Sequence, residues 1–249
     1  MTSIKTPQEI KAMQEGGKIL ARIVKEVSLA IRPGVTTKEL NRAAEALILQ
    51  SGALLAFKGY EDFPEAMCVS VNEEIVHVVP STRVLKEGDM VTLDLGLIWK
   101  GFYLDMARTF PVGIVSPEVS RLIRITKKAL RIGIKKAKVG NTVGDIGNTI
   151  QRLVEDQGYG VVRELCGHGI GKGLHEDPKI PNYGKRKNGE ELEEGMVICI
   201  EPMITIGDWK LVLMEDGHGY KTKDGSLSCH FEDTIAITSK GPLVLTQDS

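Results

Sequence analysis

The chain has 249 residues, of which 42% are hydrophobic and 26% charged, and its formal net charge is -1. This composition is ordinary for a globular protein with a sizeable core, and the near-neutral charge gives no indication of nucleic-acid or anionic membrane binding. We expect no signal peptide and no membrane span, because charges interrupt the first thirty residues and no apolar run approaches ~20 residues. Four scattered cysteines without a Cys-x-x-Cys pair are typical of reduced thiols, which predicts a cytoplasmic protein.

The first predicted elements are two helices that begin with capping boxes. Residues 6–9 (Thr-Pro-Gln-Glu) combine a threonine cap, proline at the first helical position and glutamate at the third. Apolar residues then recur at helical spacing, and Pro33-Gly34 is expected to end this helix. A second capping box at residues 36–39 predicts a helix that runs to Gly52.

The second half of the chain repeats this order. A helix is predicted from Ser116-Pro117, and another from the capping box at residues 142–145. Caps and glycines match between the halves at an offset of 106, and two apolar strands match at an offset of 107, which aligns Asp94 with Glu201. We therefore predict one domain, residues 1–249, built from two α+β halves at about residues 4–110 and 114–245.

Four carboxylates lie on or beside apolar predicted strands. Asp94 lies within the strand at residues 90–99, and a turn near Lys100-Gly101 is expected to bring Asp105 back beside it. Glu201 follows an apolar run in the second half, and Glu232 precedes another predicted strand. Each half therefore places two carboxylates where most neighbouring side chains are non-polar.

These carboxylates predict a metal centre. An unpaired carboxylate is costly to bury, so the set favours metal coordination, although ion pairs to Arg108 or Lys210 and exposure on a solvated sheet face stay open. His168, flanked by glycines, is the fifth candidate ligand. An oxygen-rich set with four negative charges suits two divalent ions, and two metals that share an activated water suit hydrolysis.

Six segments carry a resemblance to a known family. They are SVNEEIVH, TLDLG, FYLDMART, CGHGIGKGLHEDP, IEPM and TKDGSLSCHFEDT. These segments resemble those of the type I methionine aminopeptidases, and the resemblance extends from Ile4 to about Leu245. It implies the α+β pita-bread fold, with two pseudo-symmetric halves around a central antiparallel sheet. It also implies an enzyme that removes the N-terminal methionine of nascent proteins and peptides, preferably when the second residue is small.

The resemblance assigns the catalytic chemistry to matched side chains. Two divalent ions, such as Co, Mn or Fe(II), are expected on five ligands: Asp94, Asp105, His168, Glu201 and Glu232. An activated hydroxide would attack the first peptide carbonyl, with Glu201 as proton shuttle. His175 would stabilise the tetrahedral intermediate, and His77 would contact the scissile amide nitrogen. His230 is expected to have no metal role.

The resemblance also implies a substrate pocket and a second ion site. The methionine pocket is expected to include Tyr60, Phe63, Cys68 and His218, with His77 and His175 at its inner end. For Phe63, ordinary core packing is an open alternative. A monovalent cation is expected near Asn72 and Ser228, largely on backbone carbonyls.

Four positions depart from the family pattern. Val78 stands where glycine is common and is expected to narrow the mouth of the site, and Leu174 replaces an aromatic residue before His175. Gly96 stands where threonine is common, and His218 where many members carry tryptophan. These departures affect the expected substrate preference and rate more than the type of reaction.

Two other functions are compatible with the same ligands or fold. Xaa-Pro aminopeptidases and prolidases share all five ligand types, but they carry a substantial N-terminal domain and usually glycine where this chain has Met203. A non-catalytic peptide- or ribosome-binding relative is the other alternative, although such relatives lose metal ligands. The expected partners are polypeptides that begin with methionine and the ribosome, with no nucleic-acid specificity, no membrane, and a monomeric chain.

Overall fold

The computed structural model describes residues 2–248. Its helices are α1 (Pro7–Ser28), α2 (Thr37–Gln50), α3 (Pro117–Ile134) and α4 (Val143–Asp156), with a 3-10 turn at Tyr60–Asp62. The strands are β1 (Leu54–Leu55), β2 (Cys68–Val71), β3 (Glu74–Val76), β4 (Met90–Trp99), β5 (Phe102–Pro111), β6 (Gly160–Val161), β7 (Gly167–Gly169), β8 (Glu176–Ile180), β9 (Val197–Ile200), β10 (Met203–Thr205), β11 (Leu211–Leu213), β12 (Tyr220–Thr222), β13 (Ser228–His230), β14 (Glu232–Thr238) and β15 (Gly241–Val244). Within residues 2–248, no helix has the length and apolar character needed to cross a bilayer.

The predicted helix starts are confirmed, and one predicted helix end is wrong. Capping boxes begin α1, α2 and α4, with the threonine hydroxyl accepting from the third helical N–H and the acid accepting from the cap N–H. The first helix ends at Ser28 instead of continuing to Pro33-Gly34. Val27 is the last buried residue of α1, and Leu29, the first residue after the helix, is 82% exposed. The chain leaves the core at this point, so the helix ends before it reaches Pro33.

A nine-stranded antiparallel sheet occupies the centre of the molecule. Its strand order is β1-β4-β5-β14-β9-β7-β8, with β2 also paired to β4 and β15 to β14. Strand β14 joins the halves, because it pairs with β5 on one edge and with β9 on the other. The predicted hairpin of β4 and β5 is present, and its turn at Lys100-Gly101 has φ of 50° and 80°.

Equivalent backbone hydrogen bonds support the predicted pseudo-symmetry. In the first half, Gly34 N–H donates to the Leu85 carbonyl. In the second half, Gly140 N–H donates to the Leu192 carbonyl in the same way. Each half also has its own apolar core, one beneath α1 and α2 and one beneath α3 and α4. The predicted architecture of two α+β halves around a central antiparallel sheet is confirmed.

Candidate metal centre

The structure brings the five predicted ligands together beside the central sheet. Ligand atoms of Asp94, Asp105 and Glu232 lie within 4.8 Å of one another. His168 joins them, since its Nε2 lies 3.7 Å from Glu201 Oε1 and 4.0 Å from Glu232 Oε1. The two halves of the chain therefore converge on one cluster.

Strand register explains this convergence. In the β4–β5 hairpin Asp94 pairs with Ala107 and Asp105 pairs with Gly96, so both carboxylates lie on the same face of adjacent strands. Glu232 begins β14 and also pairs with Ala107, which places it next to the hairpin. Glu201 follows β9 directly, on the other side of β14.

Burial makes the carboxylate cluster a site for cations. Burial raises the pKa of Asp105 to about 7, and burial together with the Asp105 charge raises the pKa of Asp94 well above its usual range. The pKa values of Glu201 and Glu232 are also raised well above their usual range, first by burial and then by the neighbouring carboxylates. Among residues 2–248, Glu232 Oε1 is buried without a hydrogen-bond partner. Divalent ions would neutralise these charges, and the donor set fits them.

The two basic residues considered as ion-pair partners bind elsewhere. Arg108 contacts Asp233 Oδ1 at 2.6 Å through its guanidinium and also donates to the Glu232 backbone carbonyl. Lys210 contacts Asp208 at 3.5 Å. In the described part of the chain, no lysine or arginine forms an ion pair with any of the four clustered carboxylates. The alternatives of salt bridges and of solvent exposure are therefore wrong for this cluster.

His168 is prepared for coordination by its own backbone. Its Nδ1 lies 2.9 Å from the Gly169 carbonyl, so Nδ1 carries the proton and Nε2 keeps its lone pair facing the carboxylates. Burial, followed by the nearby His175, lowers the pKa of His168 to about 4, which keeps the ring neutral near pH 7. A neutral imidazole with a free Nε2 is the form that binds a metal ion.

A cavity of about 360 Å³ opens onto the cluster, and the predicted substrate residues line it. Tyr60 Oη lies 3.0 Å from His175 Nδ1, and the His175 ring packs edge-on against His168 with centroids 4.6 Å apart. Phe63 packs edge-on against His218 at 5.7 Å, so Phe63 belongs to the cavity wall as well as to the core. Cys68 and His77 complete the predicted lining.

One of the four family departures has a different consequence from the one expected, and a second makes room beside the cavity. Val78 is 5% exposed, packs toward Gly219 and is not part of the cavity lining, so the expected narrowing of the mouth is wrong. A Cβ at position 96 would lie 2.9 Å from Phe57 and 2.8 Å from the Leu104 carbonyl oxygen. Gly96 thus leaves room for Phe57, which lines the cavity. Leu174 and His218 line the cavity as expected.

Several lining residues were not among the sequence predictions. They are Phe57, Glu61, Leu165, Val76, Tyr220 and His230. Phe57 lies just before the predicted pocket segment, so its position in sequence was an available signal. His230 lies two residues before Glu232, yet its inward orientation depends on pairing between β10 and β13. Sequence spacing alone does not give that orientation.

The residues expected near a monovalent cation lie together, outside the cavity. Ser228 N–H donates to the Asn72 carbonyl at 2.9 Å, and Ser228 Oγ donates to the Glu74 carbonyl at 2.8 Å. Asn72 has a φ of 61°, and its side-chain amide donates to Asp89.

Residues 11–239 match the sequence profile of metallopeptidase family M24. A methionine aminopeptidase from Clostridium acetobutylicum is 45% identical over 247 residues, which cover 99% of this chain and 99% of the relative. The chain belongs to the methionine aminopeptidases of metallopeptidase family M24. The crystal structure of the methionine aminopeptidase from Thermotoga maritima matches with a TM-score of 0.97 at 44% identity, covering 99% of this chain and 100% of that one.

The same comparisons separate this chain from the prolidases of family M24. The prolidase from Pyrococcus horikoshii matches with a TM-score of 0.77 at 25% identity, and the match covers 99% of this chain but only 64% of that one. The fold is therefore shared across the family, while the higher identity and full-length match lie with the methionine aminopeptidases. The chain is a metallopeptidase that uses divalent metal, as its family membership implies.

Proposed function

We propose that the protein hydrolyses the first peptide bond of polypeptides that begin with methionine, with a preference for a small second residue. The observation that carries this proposal is a buried cluster of four carboxylates that lines a cavity together with histidine, aromatic and aliphatic side chains. The cavity volume of about 360 Å³ suits one medium-sized side chain and the adjoining peptide. The identity to methionine aminopeptidases over the whole chain supports the same substrate class.

Five side chains would hold two divalent ions: Asp94, Asp105, His168, Glu201 and Glu232. Charge supports the number two, because four carboxylates with a neutral imidazole are balanced by two divalent cations. When bound, such ions lower the pKa of a coordinated water and polarise the substrate carbonyl. Mn, Co and Fe(II) suit this mixed oxygen and nitrogen donor set.

The remaining polar side chains would handle substrate and protons. Glu201 would be the proton shuttle, because its carboxylate lines the cavity and follows directly after β9 among the other proposed ligands. His175 would stabilise the negative charge that develops on the carbonyl oxygen, with Tyr60 Oη orienting its ring through Nδ1. His77, whose ring packs edge-on against Tyr220 in the cavity lining, would contact the scissile amide nitrogen.

The methionine side chain would bind between aromatic and sulfur-containing groups. Phe57, Phe63 and Cys68 offer an apolar wall, and Tyr60 and His218 lie toward its outer edge. Methionine fills irregular apolar spaces and makes favourable contacts with aromatic rings, so this lining favours it over charged or β-branched side chains.

The proposal extends to domain organisation, a monovalent cation, location and assembly. We propose one catalytic domain, residues 1–249, with repeats at about 4–110 and 114–245, supported by the equivalent hydrogen bonds of the two halves. A monovalent cation beside Asn72 and Ser228 would stabilise the turn between β2 and β3. Four free cysteines support a cytoplasmic location, and we propose a monomer that meets nascent chains at the ribosome.

A panel of Met-Xaa peptides tests the proposed function. Chelator-treated protein is reconstituted with Mn, Co or Fe(II) and assayed on Met-Ala-Ser, on longer second residues and on Ala-Pro peptides. We expect release of methionine from Met-Ala-Ser, falling as the second residue grows, and no turnover after chelation. Exclusive cleavage of Ala-Pro peptides would contradict the proposal, and so would metal-independent turnover.

A further inference from the structure

His230 is a fully buried histidine beside the carboxylate cluster, and its ring makes no hydrogen bond to any residue within 2–248. Its side chain is 2% exposed and lines the inner end of the cavity. Both Nδ1 and Nε2 lack a hydrogen-bond partner among residues 2–248. A buried imidazole that makes no hydrogen bond costs free energy, and such groups in native proteins usually have a functional or positioning reason.

The strands on either side fix where this ring points. His230 ends β13 and pairs with Met203 of β10, two residues beyond Glu201. The Thr109 hydroxyl binds the His230 backbone twice. It donates to the His230 carbonyl at 2.7 Å and accepts from the His230 N–H at 3.2 Å. The main chain therefore has little freedom, and the ring is directed toward Glu201.

Glu201 lies between two imidazoles, one at each carboxylate oxygen. His168 Nε2 lies 3.7 Å from Oε1, and His230 Nε2 lies 3.8 Å from Oε2. Within the described chain, Glu201 is the one carboxylate within 4.0 Å of His230. The 3.8 Å separation is longer than a hydrogen bond, and a shift of about 0.8 Å would close it to normal length.

The backbone of Glu201 is already anchored by a buried amide. Asn182 Nδ2 donates to the Glu201 carbonyl at 2.9 Å, and Asn182 is fully buried. This bond fixes the main chain but leaves the carboxylate free to rotate about its own side-chain bonds. A donor at Oε2 would complete the orientation, because Oε1 would then face His168 and the proposed metal position.

We propose that His230 is a positioning residue that donates its Nε2–H to Glu201 Oε2 in the metal-loaded protein. The inference deepens the proposed function, and rests on it, since it takes Glu201 to be a ligand and proton shuttle. Outer partners of this kind orient a ligand and adjust its basicity, and their loss typically weakens metal affinity or activity about 10- to 100-fold. Glutamine could replace this donor, whereas an apolar side chain could not.

A matched pair of variants tests the role of His230. His230→Gln keeps an N–H donor, and His230→Met has nearly the same length without one. Both are compared with wild type by titration of Co(II) into metal-free protein and by the visible absorption of bound Co(II), which reports ligand geometry. We expect His230→Met to lower Co(II) affinity about 10- to 100-fold and to shift the absorption bands, and His230→Gln to stay near wild type. Equal behaviour of the two variants in both measurements would overturn the proposal.

His218→Leu is the control from the same cavity. His218 forms no ion pair with a carboxylate within 4.0 Å among the described residues, so its removal should leave Co(II) affinity and absorption unchanged. An equal loss of affinity in His218→Leu and His230→Met would indicate a general disturbance of the cavity and contradict a specific role for His230.

The tautomer of His230 in the wild-type protein tests the inference without any variant that might fail to fold. With 15N-labelled histidine and Zn bound, the His230 ring should be the Nε2–H tautomer, with a slowly exchanging proton. An Nδ1–H tautomer, or rapid exchange, would overturn the inference. Wild-type turnover of Met-Ala-Ser is measured in parallel, because its absence would contradict the proposed function whatever the state of His230.

Discussion

The two halves of the molecule have the same framework but contribute to the metal centre in different ways. The first half presents Asp94 and Asp105 from a continuous hairpin of two ten-residue strands. The second half presents Glu201 just beyond the short strand β9 and Glu232 at the start of β14. The longer glutamate side chains thus reach in from strand ends, where more of their geometry must be fixed by neighbours.

This difference bears on the proposed roles, in which all four carboxylates hold metal and Glu201 also moves a proton. Asp94 and Asp105 are on a rigid ladder, and the backbone N–H of Met106 donates to Asp105 Oδ1 at 2.8 Å. The Glu201 carboxylate lies instead 3.7 Å from His168 Nε2 and 3.8 Å from His230 Nε2, while Asn182 donates to its backbone carbonyl. The proposed roles fit this difference, because a carboxylate that accepts no backbone hydrogen bond can move as it accepts and releases a proton.

The largest expected effect comes from equivalent substitutions in the two halves. We expect Glu201→Gln to lower kcat about 10²- to 10⁴-fold even at saturating metal, because the shuttle is lost. Asp94→Asn should weaken metal binding and regain more of its activity than Glu201→Gln when metal is raised. Metal-dependent kinetics with circular dichroism as a folding control measure both effects. Near-normal kcat in folded Glu201→Gln would contradict the assigned role.

A buried ion pair that joins the halves should give the next largest effect. Lys5 Nζ lies 2.8 Å from Glu176 Oε2, with the Lys5 side chain 3% exposed and that of Glu176 18% exposed. Removing the lysine leaves a largely buried carboxylate without its cation, so Lys5→Met should lower the free energy of unfolding by about 1–3 kcal/mol. Urea denaturation at pH 7 measures this loss, and an unchanged midpoint would show that the ion pair makes no net contribution to stability.

The same pair makes a pH-dependent prediction. Burial alone raises the pKa of Glu176, but the Lys5 ammonium and the Gly173 N–H outweigh it, so the net pKa is lowered. A lowered pKa contributes stability that is present above the unfolded value of about 4.3 and is lost as pH falls through the lower folded pKa. The difference in the free energy of unfolding between wild type and Lys5→Met should therefore be largest at pH 6–7 and should shrink below about pH 4. A difference that grows on acidification would contradict this account.

A substitution in the wall of the cavity should have a smaller effect on activity. Gly96→Thr would push against Phe57, and overpacking of this kind costs about 1–3 kcal/mol and should displace the ring into the cavity. We expect KM for Met-Ala-Ser to rise more than kcat falls. Gly96→Thr combined with Phe57→Ala should restore KM in part, because the second substitution removes the contact with the ring but leaves the contact with the Leu104 carbonyl oxygen. If the double variant has the same KM as Gly96→Thr alone, the effect of position 96 does not act through Phe57.

The smallest effect is expected from substitutions at the equivalent helix caps of the two halves. Thr142 accepts from Asp145 N–H and donates to the Asp145 carboxylate, and the backbone N–H of Lys187 also donates to that carboxylate. Thr142→Ala should lower the free energy of unfolding by about 1 kcal/mol with kcat unchanged. Thr36→Ala, at the equivalent cap of the first half, should act in the same direction. A change in kcat for either variant would mean that the helices affect the site directly.

Local patterns were enough to predict the framework and the side chains that cluster beside the central sheet. Capping boxes and the turn at Lys100-Gly101 act over a few residues, so the helix starts and the hairpin that unites Asp94 with Asp105 could be predicted from the sequence. The pairing of halves by β14 and the inward orientation of His230 depend on contacts between distant segments. Val78 illustrates the same limit, because its neighbour His77 faces the cavity while Val78 itself packs toward Gly219.

The number of metal ions per chain tests the central claim most directly. Chelator-treated protein is titrated with Mn(II), and bound metal is counted per chain while electron paramagnetic resonance reports coupling between ions. Four clustered carboxylates and a neutral His168 predict two Mn(II) per chain, magnetically coupled, with at most one tightly bound in Asp94→Asn. A wild-type protein that binds no Mn(II), or two ions without coupling, would contradict the account.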